Sequence, residues 1–328
     1  MDMSTDFKTL TLDQKPELKD QLISLIEKEF SYPSDCSYKV DFFPLINEKN
    51  YKNLHLLMKD EKIIGHIGVK KRLLTYQGND FPVALIGGVV IDKQYQGQGL
   101  FSEFFNNTIE TYTKNVAFFF LWSALDQLYE KYDFYEFGLI REILGDEFNE
   151  DQNQDYSQSG QLTSDFKELY HRHNKEFLSL KRTDHEWEEF SQIQSSKFYL
   201  SGDKQSYFIK DKGADFQGII HEIQPTPKDS WSHRTWICNS EYKEGENYRY
   251  MGLIRLGDPK LFKNCINHIT NKSIQIHSSS KELIKFSMDD QEYELSIKQF
   301  MQGAFGPKFI NELTQKIPKI SIYGLDSV

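Results

Sequence analysis

The segment that most constrains this chain is the stretch from residue 84 to residue 100. Residues 84–91 are apolar and rich in β-branched side chains, which predicts a buried strand, and a short turn with two glycines, Gly97 and Gly99, follows it. Glycine has no Cβ, so the backbone there can bend sharply and its N–H groups can approach a bulky anion closely. A helix expected over residues 100–114 points its N-terminus, with unpaired N–H groups and partial positive charge, at the same place. The segment therefore predicts a cradle for a pyrophosphate group.

Three kinds of pyrophosphate site use such a turn, and two of them do not fit. A P-loop needs Lys followed by Ser or Thr after its last glycine, and this chain has Leu100 and Phe101 there. A Rossmann fingerprint needs three glycines directly after the strand; here five residues intervene after Ile91 and the third glycine is missing.

The third pattern, Gln94-x-x-Gly97-x-Gly99, resembles the acyl-CoA-binding motif of the GNAT superfamily of N-acetyltransferases. The order of the following segments strengthens the resemblance. A second apolar strand is expected over residues 116–123, and a short helix ends in Leu128-Tyr-Glu-Lys-Tyr-Asp-Phe134, which looks like the segment that closes GNAT catalytic cores. The resemblance implies a GNAT acyl-CoA N-acyltransferase fold with a mixed central sheet, a fold of the α/β (α+β) class.

Length and composition are compatible with an enzyme of this kind. With 328 residues the chain is expected to form two or three domains, and 38% hydrophobic and 14% aromatic residues are enough for a packed core. The formal charge of −10 argues against nucleic acid or an anionic membrane as partner. The resemblance implies a small-molecule or peptide amine as the partner, and a homo-oligomer stays open.

Cysteine usage and the N-terminal residues predict a cytoplasmic protein. Three widely separated cysteines, Cys36, Cys238 and Cys265, suit a reducing compartment better than a disulfide framework. The polar, acidic first six residues do not resemble a signal peptide, and no apolar run reaches the length of a membrane span. The histidines show no metal-ligand spacing, so no metal site is predicted.

The pattern along the chain predicts four regions. Residues 1–150 carry a helix, an antiparallel meander and the motif segments, which is the element order of a GNAT catalytic domain. Residues 151–164 are acidic and amide-rich and are interpreted as a linker or mobile loop. Residues 165–249 resemble a second, divergent GNAT-like unit without the glycine turn, which is expected not to hold CoA. Residues 250–328 are expected to form a small α/β domain.

This layout resembles the enhanced-intracellular-survival type of acetyltransferase, whose C-terminal domain is sterol-carrier-like. The present chain is shorter than that family usually is, especially in its middle unit.

The resemblance assigns most of the cofactor contacts to main-chain groups. Gly87 and Gly88 inside the strand predict a bulge that splays it from its neighbour and opens a slot for the pantetheine arm. Gln96 and Gln98 stand where many relatives have arginine, so they add no Coulomb attraction for the pyrophosphate. The predicted cofactor-binding residues are Val89, Val90, Ile91, Gln96, Gly97, Gln98, Gly99, Leu100 and Ser102.

Tyr129 is the predicted catalytic acid. It matches the tyrosine of the Leu-Tyr-Glu-Lys segment, and a phenol near the sulfur can protonate or stabilise the leaving thiolate. Tyr132 is expected to pack inside, and Asp133, where relatives have glycine, tolerates a left-handed backbone better than most residues.

The general base is not fixed by sequence, because the strand that carries a glutamate in some acetyltransferases has only Gly87 and Gly88 here. His66 alternates with apolar neighbours and is one candidate. In the resembled family the C-terminal carboxylate reaches the active site, which makes that of Val328 another. Asp41 and Phe42 are expected near the mouth of the acceptor site.

Three functions follow from these features. The leading hypothesis is an acetyl-CoA-dependent N-acetyltransferase that works by direct attack in a ternary complex. A non-catalytic acyl-CoA-binding or scaffold protein is the alternative, because the strand glutamate and the arginines are missing. A lipid-binding protein is the third and rests only on the sterol-carrier-like look of the tail.

Overall fold

The computed structural model describes residues 7–149, 155–227, 231–238, 244–280, 282–308 and 310–328. Within these ranges the strands form three sheets, of nine, seven and three strands. None of the helices in the described ranges combines the length and the apolarity that crossing a membrane requires.

The first half of the chain follows the predicted order of a helix, a meander, the motif strand and helix, and a further strand. In chain order its elements are β1 (Phe7–Thr11), α1 (Lys19–Glu29), α2 (Tyr38–Asp41), α3 (Phe43–Ile46), β2 (Leu54–Lys59), β3 (Lys62–Tyr76), β4 (Asn79–Ile91), α4 (Leu100–Thr113), β5 (Phe118–Leu121), α5 (Asp126–Glu130), β6 (Tyr135–Phe137) and β7 (Ile140–Ile143). The sequence predicts separate strands over residues 63–69 and 72–76 in the meander, but in the structure they are one continuous strand, β3.

From residue 155 on, strands and helices alternate less regularly. The elements are β8 (Tyr156–Ser159), α6 (Ser164–His173), β9 (Leu178–Leu180), α7 (Asp184–Phe190), β10 (Lys197–Ser201), β11 (Tyr207–Lys210), β12 (Ile220–Gln224), β13 (Thr235–Ile237), β14 (Asn247–Arg249), β15 (Gly252–Leu256), α8 (Pro259–Ile269), β16 (Ile274–Ser279), β17 (Leu283–Met288), β18 (Gln291–Ser296), α9 (Ile297–Phe305), α10 (Asn311–Thr314) and β19 (Ile320–Ser321).

The nine-stranded sheet contains the motif strand at its centre. Its main path runs β1-β2-β3-β4-β5-β15-β6, and the pair β4–β5 is parallel whereas β2, β3 and β4 form an antiparallel meander. Side chains of β5 alternate between its two faces: Phe118 and Phe120 pack in one core cluster, Phe119 and Leu121 in the other. A strand buried on both faces reads as a continuous apolar run, which explains the composition of residues 116–122.

The sequence pattern did not predict the sheets to which β15 and β7 belong. β15 pairs with β5 and with β6, so a segment of the predicted C-terminal domain completes the first sheet. The sequence predicts one last strand over residues 137–144, but this region is divided, because β6 stays in the first sheet whereas β7 pairs with β13 and β14 in the second. Gly138, between β6 and β7, has φ +70° and lies against Met251, where a Cβ would collide.

Two further expectations need correction. The described part of the predicted linker contains β8, which pairs with β10, while residues 151–154 lie outside the described ranges. The sequence also predicts a helix over residues 166–178, but in the structure this helix ends at His173, and Leu178 begins β9 instead. The strand β9 pairs with β3 and with β19, so it links the end of the chain to the first sheet.

Candidate active site

The site begins where β4 and β5 separate. Their parallel pairing runs from Val83–Phe118 to Ile86–Leu121, and β4 then continues to Ile91 with no partner on that side among the strands of the described ranges. On its other side, β4 is bulged: Gly87 pairs with Gly68 and Val90 with His66, which leaves two residues of β4 opposite one of β3. Gly88 lies in the bulge with φ +60°. A bulge increases the local twist of its strand, so it accounts for the gap between β4 and β5.

The turn after β4 has the geometry expected of an anion cradle. Gly97 has φ +74° and Gly99 has φ +79°, and a Cβ on either glycine would meet no atom within 4 Å. Gly99 is also the residue before α4, and no side chain caps the helix. Free N–H groups and open space therefore lie together at the N-terminus of a 14-residue helix.

Asp92 anchors this turn, a role that the sequence analysis missed. Its carboxylate is 1% exposed, accepts a hydrogen bond from the amide of Gln94 at 3.0 Å and pairs with Lys62 at 3.0 Å. Burial opposes its ionisation, but these contacts and Lys28 outweigh burial and hold the pKa of Asp92 below its usual range. An aspartate directly after a strand and before a turn is a local capping signal that could have identified it.

The other predicted cofactor residues surround the same turn. Gln96, Gln98 and Ser102 are exposed, Leu100 and Val89 are partly buried, and Val90 packs in the core. Gln96 donates from its side-chain amide to the carbonyl of Ile91 at 2.8 Å, so it ties the turn to the end of β4.

Tyr129 lies in α5, on the same face of the sheet as α4. Its ring is 5% exposed and packs against Phe101, Phe105 and Phe134. Among the described residues its hydroxyl has no hydrogen-bond partner. Burial raises the pKa of Tyr129, and Tyr132 adds to the shift, so the phenol keeps its proton. Asp133 takes the left-handed conformation expected of it, with φ +63°.

The end of the chain reaches the gap from the opposite face. A Cβ on Gly87 would collide with the terminal carboxyl group of Val328, so the two are in direct contact. Val328 is 8% exposed and belongs to the core cluster opposite that of Tyr129. The gap is thus flanked by a phenol on one face and a carboxylate on the other.

Two buried polar atoms lie over Gly88. A Cβ there would be 2.9 Å from Tyr38 Oη and 3.0 Å from His66 Nδ1. His66 Nδ1 lies 2.6 Å from the Gly88 carbonyl oxygen, which makes Nδ1 the protonated nitrogen and leaves a lone pair on Nε2. Within the described ranges, neither Nε2 nor Tyr38 Oη has a partner. Burial lowers the pKa of His66 to about 4, so the ring is neutral near pH 7.

Asp41 and Phe42 lie beside these groups. The sequence predicts a loop over the residues that follow Pro33, but in the structure this segment contains α2 and the start of α3. Asp41 is 1% exposed and accepts a hydrogen bond from Tyr32 Oη. Phe42 stacks on Tyr38 with ring centroids 4.5 Å apart. We call Tyr38, Asp41, Phe42, His66 and Val328 the acceptor side, and the turn 94–99, the start of α4 and Tyr129 the donor side.

The second unit contributes residues that sequence analysis did not single out. Gly213 packs so closely on Asp41 and Tyr32 that a Cβ would collide with both. Lys212 Nζ lies 4.8 Å from the centroid of the Phe42 ring, and burial raises the pKa of Asp215 despite the nearby Lys212. No local pattern marks Gly213 and Lys212, because Asp41, Tyr32 and Phe42, which they contact, are more than 100 positions away. Across the described ranges, no group of three or more metal-ligating side chains is present.

Comparisons with known proteins support the resemblance. Residues 13–138 match the family model of the acetyltransferase (GNAT) domain. A GCN5-related N-acetyltransferase from Anabaena variabilis aligns over 95% of this chain and 94% of its own, with 15% identity and a TM-score of 0.58. A conserved protein of unknown function from Enterococcus faecalis, described as a probable N-acyltransferase, aligns over 91% and 89%, with 12% identity and a TM-score of 0.59. A comparison with curated protein sequences found no match.

The comparisons are less informative about the last domain. Eis1 from Mycobacterium abscessus aligns over 88% of this chain and 84% of its own, with 8% identity and a TM-score of 0.48. A similarity this low does not establish the fold of the last domain. The sterol-carrier-like character of residues 250–328 therefore stays a prediction. The mixed sheet, the gap between β4 and β5, the match over residues 13–138 and the two alignments above identify the fold as that of the GNAT acetyltransferases.

Proposed function

We propose that this protein is an N-acetyltransferase that binds acetyl-CoA and transfers the acetyl group to a primary amine by direct attack in a ternary complex. The observation that carries the proposal is the contact between the terminal carboxyl group of Val328 and Gly87, at the point where β4 and β5 separate. A proton acceptor and the slot for an acyl donor thus occur at one place.

The donor side suits the pyrophosphate and the pantetheine arm. The turn at Gly97 and Gly99 offers amide donors and open space, and the unpaired edge of β4 offers the main chain of Val89, Val90 and Ile91. Neither Gln96 nor Gln98 adds positive charge, so affinity for CoA comes from hydrogen bonds more than from Coulomb attraction.

The reaction needs one proton acceptor and one proton donor. The amine nitrogen attacks the thioester carbon, the C–N bond forms and the C–S bond breaks. The carboxylate of Val328 takes the proton from the nitrogen, and Tyr129 gives its proton to the departing thiolate. His66, neutral and with a free lone pair on Nε2, accepts a hydrogen bond from the acceptor amine.

The acceptor is a small-molecule or peptide amine that approaches from the face of α2. The carboxyl groups of Asp41, Asp215 and the chain terminus favour a positively charged acceptor molecule there, whose attacking nitrogen is itself in the neutral amine form. A cytoplasmic location and the second, CoA-free GNAT-like unit remain part of the proposal.

Moving the terminal carboxylate tests this assignment. We expect removal of Val328 to lower kcat by roughly 100-fold, at the low end of general acid–base contributions, without changing the affinity for acetyl-CoA. Val328→Ala is the matched control, because it keeps the carboxylate in place and loses only side-chain contacts. Thiol release with an active amine measures kcat, and calorimetric titration measures binding. Equal kcat in the truncated and full-length proteins would remove the carboxylate from the mechanism.

A scaffold protein that binds acyl-CoA without catalysis is the alternative. It would be favoured if acetyl-CoA binds but no amine in a broad panel gives thiol release.

A further inference from the structure

The last residues of the chain are held by a buried lysine from the second unit. Lys212 follows β11 and is fully buried, with 0% exposure. Its ammonium group donates to the carbonyl oxygens of Gly324 at 3.0 Å, Leu325 at 3.4 Å and Ser327 at 2.6 Å, and to Ser327 Oγ at 2.9 Å. All four acceptors belong to the segment directly before Val328.

We propose that Lys212 is a positioning residue that fixes the terminal carboxylate of Val328 against Gly87. The proposal rests on the role of that carboxylate as the base. Lys212 acts through main-chain carbonyls rather than through the carboxylate itself, so it orients the base without neutralising it.

A second set of contacts holds the residues before Ser327. Loss of Lys212 should therefore affect only the last two residues of the chain. Asp326 accepts hydrogen bonds from Arg182, at 2.6 Å and 3.3 Å, and from Arg72 at 3.2 Å. Before it, β19 pairs with β9. These contacts hold residues 320–326 whether or not Lys212 is present, but among the hydrogen bonds of the described residues only those of Lys212 reach the carbonyl of Ser327 from outside the terminal segment.

The surroundings of Lys212 explain why a lysine is suited to this place. A compact ammonium has three donors that can converge on carbonyl oxygens, whereas the planar guanidinium of arginine would not fit the same set. Burial lowers the pKa of Lys212 to about 7, and Arg182 adds to this, whereas Asp326, Asp215 and Asp41 act in the opposite direction and favour the ammonium form. Its contact with the Phe42 ring also ties the terminal segment to the acceptor side.

Loss of Lys212 should change catalysis but not cofactor binding. In Lys212→Met, Ser327 loses the hydrogen bonds that its carbonyl and hydroxyl oxygens accept from Lys212, and the carboxylate that follows is no longer held at the gap. A misplacement of about 1 Å can cost up to roughly 100-fold in rate, so we expect kcat to fall at least roughly tenfold. The turn that binds CoA lies on another part of the sheet, so the dissociation constant of acetyl-CoA should stay within about twofold.

Two measurements test the positioning role, with Lys70→Met as the matched control. Lys70 is also a largely buried lysine in an ion pair, with Glu189 at 2.7 Å, but it does not contact the terminal segment. The first measurement is kcat and KM. The second is the rate at which carboxypeptidase removes Val328 from the folded protein, followed by intact mass. Lys212→Met should lose Val328 at least tenfold faster than wild type and Lys70→Met. If Lys212→Met does not fold, Lys212→Gln enters the same assays.

A double-mutant cycle separates positioning from any other effect of the substitution. If Lys212 acts through the carboxylate, Lys212→Met has no further effect on kcat once Val328 has been removed. An equal loss of kcat in the full-length and truncated proteins overturns the proposal, as does a wild-type rate of Val328 release. If removal of Val328 alone leaves kcat unchanged, the proposed base role fails instead, and the carboxypeptidase rate alone decides whether Lys212 fixes the terminus.

Discussion

The donor side and the acceptor side of the gap are built in opposite ways. On the donor side, the turn 94–99 and the start of α4 form one continuous and largely exposed stretch of chain, whose geometry depends on two glycines with positive φ, and Tyr129 alone is buried. The acceptor side is buried throughout, and it combines residues of α2, β3 and the end of the chain, with the second unit packed against them. The first is therefore sensitive to backbone conformation, whereas the second is sensitive to burial, protonation and long-range anchoring. Each prediction below perturbs one side and leaves the other unchanged.

The largest effect is expected at the only predicted catalytic group on the donor side. Tyr129→Phe removes the acid and keeps the ring that packs on Phe105. Since the phenol acts as the thiolate leaves, the loss should appear in kcat, by about 100-fold, and not in binding of acetyl-CoA. Tyr132→Phe is the control and should be close to wild type. Full activity of Tyr129→Phe would mean that water delivers the proton.

The second effect concerns pH and the acceptor side. Burial lowers the pKa of His66 to about 4, against about 6.5 in an unfolded chain. Between pH 7 and pH 5 the unfolded state binds a proton that the folded state does not, so this group makes stability fall as pH falls, by roughly 2 kcal/mol. His66→Gln should remove that part of the slope in chemical denaturation.

The pKa values of other histidines are also lowered, so part of the slope remains in the variant; these are the partly buried His55, the buried His221, and His171, His173 and His233. His277→Gln is the control, because its side chain is 44% exposed. An identical pH dependence of wild type and His66→Gln would show that His66 is not buried as a neutral ring.

The smallest effect is expected at the turn. Gly99→Val introduces a branched side chain at φ +79°, where phosphate oxygens are proposed to bind. We expect at least a tenfold loss of acetyl-CoA affinity, about 1.4 kcal/mol. Gly78→Val is a matched control, since Gly78 also has positive φ and open space but lies in the turn between β3 and β4. Equal affinities of the two variants would show that strain, and not the site, causes the loss.

The same contrast explains what could be predicted from sequence. The strand, turn and helix around Gly97 follow from local rules, because each residue acts on its neighbours in the chain. The position of β15 between β5 and β6 could not be predicted from sequence, because its apolar pattern would suit a buried strand in any sheet. Lys212 was missed because its acceptors are 112 to 115 residues away and a lone lysine gives no pattern. The terminal carboxylate was proposed only from the resemblance, and its contact with Gly87 is a property of the folded chain.

Titration with acetyl-CoA, combined with thiol release over a panel of amines, is the most direct test of the proposed N-acetyltransferase activity. We expect one acetyl-CoA bound per chain. Within the described ranges, the turn before α4 is the only place where two glycines with positive φ and open space follow an unpaired strand edge. We also expect thiol release that depends on the amine, with the acetyl group found on nitrogen by mass spectrometry. Binding of acetyl-CoA without thiol release for any amine would contradict the proposed catalysis. No binding of acetyl-CoA would contradict both the proposed catalysis and the proposed cofactor site.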